Sequence, residues 1–215
     1  APNCHPQIVI GVGDLEGPIE PWLRIERRAV QNNTPLAEHI MNFGFDHGFD
    51  WAVAKSLSLD HSTMVPIHLA VPAGVRCIPV YISSGMTPLI QGKRCRQLGE
   101  MIAQAVAAWP GGERVVMLGT GGISHWVGMA DMGKINVEFD RRVLDLVGRN
   151  DIDSLAQMTD SHIIDEAGNG ALEVRNWIVA MSAVPRLRSQ VMAYEPVDAW
   201  VTGLGFAELT VGAAT

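Results

Sequence analysis

Charge and cross-linking residues are both scarce in this sequence. Charged side chains occupy 18% of its 215 positions and aromatic ones 6%. Its three cysteines, Cys4, Cys77 and Cys95, lie far apart and form no CxxC pair. That argues against a disulfide framework or a zinc knuckle and for free, buried thiols in a reducing compartment. A basic face is also missing: the formal net charge is -7, so the electrostatic footprint of a nucleic-acid binder is absent. No run approaches the ~20 apolar residues that a membrane helix needs. The N-terminus lacks the basic-then-apolar order of a signal peptide. The expectation is a soluble, cytoplasmic protein with neither nucleic-acid nor membrane partners. With no repeat, low-complexity tract or linker, residues 1–215 are expected to form a single domain.

What is present is a globular composition, 47% hydrophobic, with helical and extended patterns in alternation. Gln7–Gly11 reads as a buried strand running into a loop over Gly13–Pro21. Thr34-Pro35 opens a helix that continues to about Asn42, with Thr34 as its cap. Trp51–Ser56 and Cys77–Ser83 read as strands, and Val191–Ala193 as a last one. Pro66 argues against a long helix over Asp60–Leu69. Apolar residues at helical spacing predict helices over Lys93–Trp109, Asn136–Val147 and Gly170–Ala183. Val115–Leu118 reads as a buried strand, and Gly203–Thr215 as a loose tail. Alternation of this kind predicts an α/β fold with a mixed sheet covered by helices.

Three segments hold side chains suited to chemistry. Gly119-Thr120-Gly121-Gly122-Ile123-Ser124-His125 follows the expected strand, where open α/β sheets gather their sites. Its small residues would let backbone approach a ligand, and a histidine there can serve as base, acid or metal ligand. The spacing fits neither the dinucleotide fingerprint nor the P-loop. Ser124 and His125, as sequence neighbours without a nucleophile elbow, make a poor hydrolase pair. The second segment is Asp60-His61-Ser62-Thr63-Met64-Val65-Pro66, whose Asp-His pair also suits a turn or cap. The third places Glu173 near the start of an apolar helix, where dipole stabilisation is the default account of a carboxylate.

Taken in order, DHSTMVP (60–66), GTGGISH (119–125), INVEFDRRVLD (135–145), EAGNGALEVRNW (166–177) and AWVTGLG (199–205) resemble the class III extradiol dioxygenases. That group includes the protocatechuate 4,5-dioxygenase catalytic subunit and gallate dioxygenases. The resemblance spans nearly the whole chain and corresponds to the C-terminal two-thirds of such a subunit. It implies an α/β sandwich around a mixed sheet, and a non-haem Fe(II) enzyme that opens the ring of a catechol- or gallate-type compound with O2. It implies that His125 is the base taking a proton from a substrate hydroxyl, His61 the second active-site histidine, and Glu173 the carboxylate ligand of iron. Ser124, Thr202 and Trp200 become candidates for contacting substrate, with packing the other reading of Trp200. Partners implied are a small aromatic diol, O2, and either further copies of the chain or a small second subunit. Two histidine ligands of the family have no counterpart here, because Ala1–Val12 matches a region beyond both. They are expected from a preceding segment or a partner chain; the alternative is a non-catalytic subunit on the same fold.

Overall fold

A computed structural model describes residues 5–213 as a mixed α/β structure whose residues group into two compact units. The first holds residues up to Ser83 together with Gln104–Arg114. The second holds Ser84–Ala103 and Val115 onward. Cys4 lies outside the described residues.

The first unit is built on strand β1, Ile8–Gly17. β3 (Ala52–Ser58) pairs with it in parallel. β2 (Arg28–Val30) and β4 (Val80–Ile82) pair antiparallel with its two ends, at Leu15–Gly17 and Ile8–Ile10 respectively. Between those ends the Asn32 amide donates to the carbonyls of Gly11 and Gly13 at 3.0 Å, so the gap in the ladder is closed by a side chain. β1 therefore continues through residues expected to form a loop: glycines at 11, 13 and 17 mask a strand whose partners lie far along the chain. Helix α1 (Thr34–Asp46) is longer than expected and is entered from Asn33 rather than capped by Thr34.

Helix α2, His61–Ala70, runs through Pro66, which argues against a long helix at this place. An interior proline costs roughly 3 kcal/mol. Two features offset this. Asp60 caps the helix, accepting from Ser62 N–H at 3.1 Å. Fully buried Met64 packs with Leu15 and Leu59, and partly buried Ile25, Val30, Leu57, Ile67 and Tyr81 surround that cluster. Burying one such side chain contributes ~1.5–3 kcal/mol.

In the second unit, helices α4 (Val137–Gly148), α5 (Ile152–Gln157), α6 (Asp160–Ala167) and α7 (Val174–Ser182) accompany the hairpin of β5 (Leu187–Val197) and β6 (Thr202–Val211). Helix α3 spans Gly92–Ala108, as its spacing predicts. Phe139, Val143, Leu144 and Val147 form the buried side of α4. Residues from Gly203 onward are no loose tail: β6 pairs with β5 from Val197↔Thr202 to Leu187↔Val211. Val115–Leu118 forms no strand, and Val116 is 72% exposed. Four apolar residues name no pairing edge, and none of the described strands provides one. Cys95 is fully buried, which pushes its thiol pKa up to about 12, whereas Cys77 is only partly buried.

Candidate active site

The loop 119–125 owes its shape to three distant segments of the second unit. Ile123 N–H donates to Gly203 O, and Gly203 N–H to Ser124 O, so the loop zips onto the start of β6. The Asn176 amide donates to Thr120 O at 2.8 Å and the Trp177 indole to Gly121 O at 3.2 Å, which ties the loop to α7. His125 N–H donates to Ala167 O, and Gly170 N–H to His125 O. The glycines thus admit close packing of neighbouring protein atoms. Gly121 has φ +119, and a Cβ there would stand 2.7 Å from Glu173 Cβ. A Cβ on Gly170 would stand 2.2 Å from His125 Nε2.

His125 keeps only 13% of its side chain exposed. Its Nδ1 lies 3.0 Å from Ile123 O. A carbonyl only accepts, so Nδ1 carries the proton of the neutral ring and Nε2 keeps its lone pair. Nε2 faces Glu173 Oε1 at 3.8 Å, beyond hydrogen-bonding range. This is the protonation pattern a general base requires.

Glu173 ends the 3₁₀ turn Asn169–Glu173 and stands at the N-cap of α7, yet its side chain makes no capping bond. Its position at the helix N-terminus still favours a carboxylate through the dipole, without a capping bond. One oxygen, Oε2, accepts from Gly122 N–H at 2.8 Å. The other makes no hydrogen bond among the described residues. An anchored carboxylate with one uncommitted oxygen suits a hard or borderline divalent metal. As a complete iron site the described residues of this unit fall short, because they bring Glu173 together with His125 but with no second carboxylate or pair of histidine ligands.

Ser124 is fully buried. Its N–H and hydroxyl both donate to Asp140, at 2.8 and 2.9 Å, and its oxygen accepts from Asn136 N–H at 2.8 Å. Tyr194 donates to the same carboxylate at 2.6 Å. Burial and the Asp140 carboxylate push the Tyr194 phenol well above its usual range. Ser124 and His125 share no hydrogen bond, so the hydrolase reading has no geometric basis. Thr202 borders the loop, since a Cβ on Gly122 would stand 2.4 Å from its Oγ1. Trp200 is 66% exposed in the short turn between β5 and β6.

His61 belongs to the first unit. It is the first residue of α2, with 53% of its side chain exposed. Glu20 Oε1 accepts from His61 Nδ1 at 2.7 Å and from its N–H at 3.3 Å. Asp60 Oδ1 accepts from Ser62 N–H, the Ser62 hydroxyl and the Tyr81 phenol at 3.1, 2.6 and 3.0 Å. Glu20, Asp60 and His61 are also the one group of three ligand-type residues among those described whose donor atoms fall within 4.8 Å of one another. No sequence signal marks Glu20: it sits 41 residues from its histidine with no local pattern around it.

Comparison with known proteins decides the family. The description "Catalytic LigB subunit of aromatic ring-opening dioxygenase" matches residues 3–205. The chain belongs to the LigB family. Its mixed α/β fold and the class III extradiol motifs agree with that membership. Among its relatives, a Rhodococcus jostii (strain RHA1) protein named 2,3-dihydroxyphenylpropionate/2,3-dihydroxicinnamic acid 1,2-dioxygenase is 26% identical over 96% of this chain and 78% of its own length. A Rhodococcus sp. protein of the same name is 26% identical over 74% of this chain and 66% of its own. The gallate dioxygenase of Pseudomonas putida is 28% identical over 70% and 45% respectively. The LigB chain described here thus spans about two thirds of that Rhodococcus sp. relative.

Proposed function

We propose that this LigB-family chain carries the acid–base and carboxylate-ligand half of an extradiol dioxygenase that opens the ring of a small catechol- or gallate-type aromatic diol with O2. The observation that carries the reading is His125, whose Nδ1 proton is fixed on Ile123 O and whose Nε2 is presented beside Glu173. His125 takes a proton from a substrate hydroxyl, so that the diol binds as an anion. Glu173 supplies one carboxylate ligand to Fe(II), and the family's two histidine ligands are not among the described residues. When bound, Fe(II) supplies the chelation of the diol and the electron transfer to oxygen. Ser124 supports the loop through Asp140 and does not touch substrate. Thr202 lines the substrate side of the loop, and Trp200 offers an exposed aromatic face on the same hairpin. His61 is the second proton-handling histidine. Association into a homo-oligomer, or with a small second subunit, belongs to the same reading.

The test is anaerobic loading with Fe(II) of the protein carrying this chain, followed by oxygen uptake against a panel of aromatic diols. Wild type should consume one O2 per diol and form a yellow ring-opened product. His125→Ala should retain iron and lose about 10²–10⁴-fold in turnover, whereas Glu173→Ala should lose iron. Swapped phenotypes, or a loaded wild type that leaves every diol intact, would overturn the assignment.

A further inference from the structure

We propose that Glu20 is the positioning residue of His61, fixing the ring with its proton on Nδ1 and presenting Nε2 as the working nitrogen. The contact is short, 2.7 Å, and the same Oε1 also accepts the His61 backbone N–H at 3.3 Å. A carboxylate that holds both groups of one residue sets the ring's rotation as well as its tautomer. Glu20 is enclosed, with 17% of its side chain exposed, and its backbone is tied down next door, where Ile19 N–H donates to Leu59 O; its Oε2 is buried without a hydrogen bond among the described residues. Oε1 therefore carries the hydrogen bonding of this carboxylate.

The neighbouring acid does not compete. Asp60 Oδ1 is committed to Ser62 and to Tyr81. Those bonds fix the start of α2, and with it the His61 backbone; Glu20 fixes the ring. The Trp22 ring, 67% exposed with its centroid 6.0 Å from that of His61, flanks the imidazole without a hydrogen bond to it. This arrangement is the first unit's own answer to the requirement that Ile123 O meets for His125: one ring nitrogen occupied by the protein, the other available. The catalytic value of Glu20 rests on the dioxygenase reading, but the tautomer does not.

The experiment is two-bond ¹H–¹⁵N correlation spectroscopy of the ¹⁵N-labelled full chain, which reports the protonated nitrogen of each histidine without metal or substrate. In wild type His61 should be the Nδ1–H form. Glu20→Gln, whose amide oxygen can accept from both groups, should preserve it. Glu20→Ala should shift His61 toward the Nε2–H form and leave the His125 signals in place. In diol turnover, Glu20→Ala should lower kcat on the order of 10-fold with KM within about twofold, since positioned proton transfer contributes about 10²–10⁴-fold and a disordered ring retains part of it; Glu20→Gln should recover most of the loss. An Nε2–H ring in wild type, or an unchanged His61 tautomer in Glu20→Ala, overturns the inference. A wild type that opens no diol ring overturns the proposed function instead and leaves the tautomer result standing.

Discussion

His125 and His61 sit in different units, yet each stands next to a serine in sequence, and that serine is held the same way. Asp140 takes the N–H and hydroxyl of Ser124 together with the Tyr194 phenol, and Asp60 takes the N–H and hydroxyl of Ser62 together with the Tyr81 phenol. These are the chain's two tyrosines. What differs is the enclosure. His125 keeps 13% of its side chain exposed, and its main chain is bonded to both ends of the Ala167–Gly170 turn. His61 keeps 53% exposed and its ring is held by one carboxylate. One histidine is over-determined by packing, the other depends on a single contact. Steric changes should therefore strike His125, and loss of one acceptor should strike His61.

Gly170→Ala is the sharpest way to break this contrast. Its Cβ would fall 2.2 Å from His125 Nε2 and 2.3 Å from Cδ2, so the ring must move. Displacement of a reacting group by about 1 Å costs on the order of 10²-fold in rate. We expect kcat to fall by that order while far-ultraviolet circular dichroism and the His61 ring signals stay as in wild type. Turnover within threefold of wild type would show that the His125 pocket is looser than its geometry states.

Asp140→Ala should act on stability. It leaves the Ser124 N–H, the Ser124 hydroxyl and the Tyr194 phenol without their shared acceptor. With unsatisfied buried groups costing ~1–3 kcal/mol each and not adding fully, a loss of about 3–5 kcal/mol is expected in urea unfolding. Asp60→Ala removes the corresponding three bonds from a part-buried setting, more open to water than the fully buried Asp140 and Ser124, and should cost about 1–2 kcal/mol. Equal losses would show that enclosure does not separate the two sites.

Much of the candidate site was legible because its chemistry is packed into short segments. The loop ending in His125, the turn around Gly170 and Glu173, Asp140 within α4, and Thr202-Gly203 all fall in stretches whose order carried the family resemblance, and in the fold they converge on one loop. What escaped was whatever depended on a distant partner. Nothing around Glu20 announces a histidine 41 residues away. β6 looks like a tail in the sequence because its edge is completed by β5, as in Leu187↔Val211. Val115–Leu118 reads as a strand because apolar runs signal burial, but burial needs a neighbour that four residues cannot specify. Pro66 argues against a long helix in the sequence, where neither the Asp60 cap nor the Met64 contacts that offset it are visible. The Ser124 hydroxyl, exposed on paper beside a histidine, is consumed by Asp140 and Asn136.

The smallest expected effect tests the tyrosine that each of the two sites has. Burial is the leading cause that raises both phenols, joined at Tyr194 by its hydrogen bond to Asp140. Each folded-state pKa then lies above the unfolded value of ~10. Above that pH the unfolded chain releases a proton that the folded chain retains, so the unfolded state binds fewer protons and stability falls as pH rises. The contribution is complete below pH ~10 and is lost as pH climbs through the folded value. Tyr194→Phe removes one hydrogen bond and should cost about 1 kcal/mol at neutral pH, but it also removes this alkaline sensitivity. Its stability curve should therefore approach that of wild type above pH ~10. Parallel curves across that range would mean that Tyr194 ionises as freely in the folded chain as in the unfolded one.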